Sequence, residues 1–229
     1  MNIHGLQKLT LLDFPGRVAC TVFLGGCDLR CPFCHNAGLL DGSAPVLMTD
    51  KELLDFLKKR QGLLDGVAIT GGEPTLRPDL PELMENIRTL GYAVKLDTNG
   101  FHPAVLGDIL RRGLADYVAM DIKNSPEKYA ITVGVPDINI TPITESLKLL
   151  KESGIAYELR TTVVQEFHDA ASFEAIAPWV DGAPRYFLQC FTDRDTVLHP
   201  GLHAPAKEAM ERYADILRPH VGEVQLRGI

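Results

Sequence analysis

Short β-rich runs alternate with helical stretches through almost the whole chain, and that rhythm leaves few folds open. VACTVFL (18–24), GVAIT (66–70), AVKLD (93–97), DYVAMDIK (116–123), YELRTTVV (157–164) and RYFLQCF (185–191) read as six strands, with EVQLR (223–227) as a short last one. The helices between them have recognisable ends. Thr49 and Glu52 are spaced as a capping box and Gly62 closes that helix, while Gly91 and Gly113 close the next two. A fourth starts at Thr141 with Pro142 at its first position and stops at Gly154, and a closing helix covers about 205–220. Strands alternating with helices call for parallel βαβ units with right-handed crossovers. Six units cannot complete an eight-fold barrel. The expected fold class is therefore α/β, a partial (β/α)6 TIM-type barrel of parallel strands, open on one side. No linker or low-complexity tract divides the 229 residues, 45% of them hydrophobic, so one domain over 1–229 is expected.

The residues that break the apolar pattern gather at strand C-termini. Gly71, Gly72 and Glu73 follow the second strand, and Asp97, Thr98 and Asn99 end and follow the third. Asp121 and Lys123 end the fourth, Arg160 lies in the fifth and Gln189 ends the sixth. Barrel and open α/β enzymes build their sites on that edge.

Net charge narrows the function further. At −7, with no block of Lys and Arg, the chain lacks the basic footprint of a nucleic-acid binder. Lys58, Lys59, Arg60, Arg111 and Arg112 instead end helices, where cations suit the dipole. No signal peptide is read at the N-terminus, and no apolar run is long enough to span a membrane. The cysteines are few, odd in number and clustered, the usage of a reducing compartment, so a soluble cytoplasmic protein is expected.

Three of the five cysteines, Cys27, Cys31 and Cys34, lie in the loop 25–36 after the first strand. A structural zinc site wants four closed ligands, and no second cysteine pair is present. Cys20 lies in an apolar strand and reads as a core thiol, and Cys190 is far off in sequence. A redox-active pair at Cys31 and Cys34 leaves Cys27 unexplained. A cubane iron–sulfur cluster accounts for all three thiols and leaves one iron open.

Cys27-x3-Cys31-x2-Cys34, with Phe33 before the last cysteine, resembles the signature of the radical S-adenosylmethionine (SAM) enzymes. CHN (34–36) and LLDFPG (11–16) resemble the glycyl-radical-enzyme activating branch, and in particular the anaerobic ribonucleoside-triphosphate reductase activating proteins. The resemblance implies one [4Fe–4S] cluster on Cys27, Cys31 and Cys34, since the loop carries no insert with further cysteines. It implies SAM on the open iron, cleaved by one electron from a flavodoxin- or ferredoxin-type donor to a 5′-deoxyadenosyl radical. It also implies a partner glycyl radical enzyme, most specifically the anaerobic reductase, whose glycine loses an α-hydrogen.

By the same resemblance, Gly71, Gly72, Glu73 and Pro74 hold the methionine amino group, and Asp97 and Asp121 face it. Lys123 and Arg160 meet the SAM carboxylate, Phe33 packs near the adenine, and Gln189 touches the nucleoside. In some relatives a monovalent cation is bound as well; here that implies Asp97, Thr98, Asp121 and the carbonyl of Ala119. No acid–base role is required of a histidine, and His4, His102, His168, His199, His203 and His220 all read as surface residues. Other functions remain open on the sequence: a radical SAM enzyme acting on another glycyl radical protein or on a small molecule, in the manner of the 7-carboxy-7-deazaguanine synthases, and a non-enzymatic zinc-binding module.

Overall fold

The computed structural model describes residues 1–41 and 43–229. Backbone contacts divide them into two units: one formed by Met1–Asp28, Gly38–Thr98 and His102–Ala119, the other by Leu29–Ala37, Asn99–Phe101 and Met120–Ile229.

In the first unit, β1 (Asn2–Ile3), β2 (Gly5–Thr10), β3 (Ala19–Leu24) and β4 (Met48–Thr49) precede the helix α1 (Asp50–Lys58). Then come β5 (Gly66–Gly71), α2 (Leu80–Thr89), β6 (Ala93–Thr98) and α3 (Pro103–Arg111). Strand β7 (Tyr117–Asp121) carries the chain out of this unit. Strands β3, β5 and β6 are parallel neighbours, with Val22 opposite Ile69 and Val67 opposite Val94. β2 runs antiparallel along β3, and β1 pairs with β4. The parallel strands are nearly all buried because helices cover them, with Leu53, Leu57, Met84, Ile87 and Ile109 fully inside. The capping box at Thr49 and Glu52 forms as the sequence suggests.

In the second unit, α4 (Tyr129–Val133), α5 (Thr141–Ser153), β8 (Ala156–Val163), α6 (Ala170–Val180), β9 (Tyr186–Cys190), α7 (Lys207–Leu217) and β10 (Val224–Arg227) follow in order. Strands β8, β9 and β10 are parallel neighbours. Ile143, Leu147, Phe173, Ile176 and Met210 of the helices are buried, and Phe173 stacks on Tyr213 at 4.6 Å between ring centroids. α5 ends at Gly154 in the left-handed conformation, as expected, but its N-cap is Ile140 and Pro142 falls one place further in.

All six expected strands and the short last one are present within a few residues. The mostly parallel α/β class and the barrel type both stand. The elements not expected are β1, β2, β4, α4 and α6. Among the described residues, no helix is long and apolar enough to cross a membrane.

Candidate active site

In the first unit the turn after β5 is laced to the start of the cysteine loop by main-chain hydrogen bonds. The Gly72 N–H donates to the Leu24 carbonyl at 2.8 Å and the Glu73 N–H to the Gly26 carbonyl at 2.7 Å. The Gly26 and Cys27 N–H groups donate in turn to the carbonyls of Leu39 and Leu40, at 2.7 and 3.0 Å. Gly71 adopts a φ of 125°, and a Cβ on Gly72 would lie 2.0 Å from the Gly26 carbonyl oxygen. Only glycine fits both places. The close approach that the sequence reserves for a ligand is thus made, in part, to a neighbouring backbone.

Glu73 is 1% exposed. Its carboxylate accepts from the Thr75 N–H at 3.0 Å, from the Thr75 hydroxyl, and from the Thr98 hydroxyl at 2.8 Å. Pro74, next to it, is buried in a single 3-10 turn. At the end of β6, Asp97 is ion-paired to Lys95, two residues earlier on the same face of the strand and 2% exposed. Lys95 was not among the expected site residues, although a lysine inside an apolar strand run is a visible signal. Asp28, beside Cys27, hydrogen-bonds to His102 Nε2 at 3.0 Å, and that bond raises the His102 pKa. Ala119 lies buried in β7.

The second unit holds the rest of the cysteine loop. The Arg30 N–H donates to the Val133 carbonyl at 2.8 Å and the His199 N–H to the Pro32 carbonyl at 2.9 Å. The Cys34 N–H donates to the Cys31 carbonyl, at 3.0 Å. Burial pushes the Cys31 thiol up to about 11 against the opposing pull of Lys123, and burial raises Cys34 as well. Phe33 is 4% exposed, its ring 5.9 Å from that of Phe167, so most of it already serves the core. His35 stacks on Phe191 and hydrogen-bonds through Nε2 to the Thr192 carbonyl at 2.7 Å.

Asp121, Lys123 and Arg160 come together as a charged triad. Asp121 accepts from Lys123 Nζ and from Arg160 Nε, each at 2.9 Å. Burial works against ionisation of Asp121, but Arg160 and Lys123 outweigh it and hold the carboxyl well below the usual range. Burial also opposes the charge on Lys123, and Asp121 overcomes it, lifting that pKa above the ordinary lysine value. Two cations sharing one anion keep a net positive charge that suits an incoming carboxylate.

The Lys123 backbone is fixed from both sides. Its N–H donates to the buried Tyr129 hydroxyl at 3.2 Å, and its carbonyl accepts from His168 Nε2 at 2.9 Å. His168 Nδ1 accepts the Val164 N–H at 3.1 Å, an arrangement that suits a neutral imidazole. His168 is only 5% exposed, and burial lowers its pKa. The expectation that all of these histidines are surface residues is therefore wrong at His168: a loop histidine sits inside because two main-chain groups need its ring nitrogens.

Gln189 lies opposite Thr162 and Arg227 in the register of β8, β9 and β10. Cys190 alternates to the other face, near Gly228. Cys20 is the expected core thiol, fully buried and pushed by burial up to about 12. All five cysteines are free thiols. Among the described residues, no group of three His, Cys, Asp or Glu side chains is found as a metal site.

Residues 21–177 match the radical SAM superfamily. The chain belongs to that superfamily. Over 99% of its length it is 31% identical to a Methanocaldococcus jannaschii protein that is assigned by name to glycyl-radical enzyme activation, covering 96% of that protein. It is 28% identical to the pyruvate formate-lyase-activating enzyme of Clostridium pasteurianum, across 74% of this chain and 71% of the other. A solved domain of the pyruvate-formate lyase-activating enzyme of Bacteroides vulgatus shares the fold, with a TM-score of 0.58 at 18% identity, over 71% of this chain and 99% of that one. This radical SAM chain is an enzyme, and it falls in the glycyl-radical activating branch. The zinc-module reading falls with that finding.

The family's cofactors, a [4Fe–4S] cluster and SAM, are the cofactors of this radical SAM enzyme. Its residues fit them. The three loop cysteines are free thiols, the donor type such a cluster takes. The triad offers paired cations to a carboxylate.

Proposed function

We propose that this enzyme installs a glycyl radical on a large protein partner, an anaerobic ribonucleoside-triphosphate reductase. The observation that carries the reading is 31% identity across 99% of the chain to a protein named for glycyl-radical enzyme activation. In this proposal the whole of 1–229 acts as one radical SAM domain in the cytoplasm, reduced by a flavodoxin- or ferredoxin-type donor.

Cys27, Cys31 and Cys34 hold the cluster. With SAM bound and one electron delivered by the donor, the cluster would supply radical chemistry able to take a hydrogen atom from a glycine α-carbon. The protein's part is to place and shield. Lys123 and Arg160 receive the SAM carboxylate, and Asp121 keeps the two cations side by side against their mutual repulsion. The Gly71–Pro74 turn and Asp97 receive the amino group, Phe33 bounds the adenine side, and Gln189 meets the nucleoside. Because the step moves a hydrogen atom, no general base is needed.

The test is electron paramagnetic resonance on the reconstituted, reduced enzyme under anaerobic conditions, with SAM and the reductase present and 5′-deoxyadenosine quantified. A glycyl doublet on the reductase, rising with deoxyadenosine, is the expected result. Deoxyadenosine without a doublet rejects this partner; repeating the assay with pyruvate formate-lyase then tests the second reading, which rests on similarity to its activator.

A further inference from the structure

The strongest feature left unused is a buried cation on β6. Lys95 is 2% exposed, and its ammonium is bonded to the Asp97 carboxylate. Thr98, the next residue, spends its hydroxyl proton on Glu73, whose carboxylate also takes both donors of Thr75. Asp97 and Thr98 are two of the groups that the family resemblance assigns to a monovalent cation.

These residues do not fit a free cation. An ammonium so deeply buried cannot turn away to water, and leaving it unpaired inside the protein is strongly unfavourable. It is therefore held on Asp97. A second positive ion on the same carboxylate would face a like charge at close range. The ammonium also resembles potassium in charge and size. We propose that Lys95 is a built-in cation: a positioning residue that holds Asp97 in place, as a bound potassium or sodium ion would, so that this enzyme binds SAM without one. The proposal rests on the reading of Asp97 as part of the SAM site, but needs no glycyl radical partner.

The experiment compares SAM affinity of the cluster-loaded enzyme in potassium, sodium and choline chloride at equal ionic strength. It adds the melting temperature of the cluster-free protein in the same three salts. For the natural enzyme, affinity should change by less than the roughly fivefold at which coupling between two ligands ordinarily begins. In Lys95→Met the space and the carboxylate become available. Its SAM affinity should then fall at least about fivefold in choline and recover in potassium, with a matching potassium-dependent rise in melting temperature. Lys95→Arg should stay indifferent to the salt. A natural enzyme that loses SAM affinity in choline overturns the proposal, as does a folded Lys95→Met that ignores the cation. If Lys95→Met does not fold, Lys95→Gln takes its place, and the natural enzyme alone still decides the first arm. Deoxyadenosine formed without a glycyl doublet would reject the proposed partner while leaving this result untouched.

Discussion

The two units secure the candidate residues that each of them holds by different means. In the first, the Gly-Gly-Glu turn and the start of the cysteine loop are joined by main-chain hydrogen bonds between Leu24, Gly26, Gly72 and Glu73. In the second, side chains do the work: the triad of Asp121, Lys123 and Arg160, with His168 and Tyr129 fixing the Lys123 backbone. A backbone junction tolerates any side chain that points away from it and fails sterically when a Cβ intrudes. A charged cluster tolerates small shifts and fails when its balance of charge changes.

Substitutions can break each half in its own way. Gly72→Ala should have the largest effect, because the new Cβ meets a carbonyl oxygen at 2.0 Å and neither partner can yield cheaply. A loss of about 3 kcal/mol or more in denaturant unfolding is expected, together with failure to load the cluster. The control is Gly38→Ala, where a Cβ meets nothing within 4 Å, and it should stay within about 0.5 kcal/mol of the natural protein. Asp121→Asn should come next. It leaves Lys123 and Arg160 facing each other without their anion, and after allowance for partial exposure about 2 kcal/mol should be lost. SAM affinity should fall with it, read by equilibrium binding, whereas Lys123→Met should cost affinity with less harm to the fold.

His168→Ala sharpens the comparison, since it acts on the triad only through the Lys123 carbonyl. The bare carbonyl should cost about 1–3 kcal/mol. The pH dependence carries a definite sign. The folded-state pKa of His168 lies below the ordinary 6.5, so the folded protein binds fewer protons than the unfolded chain and stability rises with pH. That contribution is complete above about 6.5 and is lost as pH falls from there toward the depressed folded value. Melting curves between neutral pH and mild acid should show the slope in the natural protein and lose it in His168→Ala. The smallest effect belongs to Asp169→Ala, beside His168 in sequence but with its side chain turned to Ser172 and Lys128 instead of the triad. It removes the capping box of α6, in which Asp169 accepts from the Ser172 N–H, and should cost about 1 kcal/mol without changing SAM binding.

The same contrast explains what could be read from the sequence. Parallel strands covered on both faces write themselves as apolar runs, so β3, β5, β6, β7, β8 and β9 were all legible. The cysteine loop was legible because three thiols at that spacing have few other uses. β2 was not: GLQKLT mixes polar and apolar residues in the half-covered manner of an edge strand. α6, AASFEAIAPWV, is apolar nearly all round and carries Pro178, which hides its period. The burial of Lys95 and His168 was not legible for a different reason. Each owes it to polar partners, Asp97 in the first case and the Lys123 carbonyl and Val164 N–H in the second, and sequence order says little about which polar group will find which.

The junction between Gly26 and the Gly72–Glu73 turn also has a consequence for timing. The amide protons of Gly26, Cys27, Gly72 and Glu73 all lie in bonds of one small lattice, so they should be released to solvent deuterium in a single opening event. All four bonds run from main chain to main chain, so the rate of that opening should be indifferent to surface substitutions that leave the backbone in place.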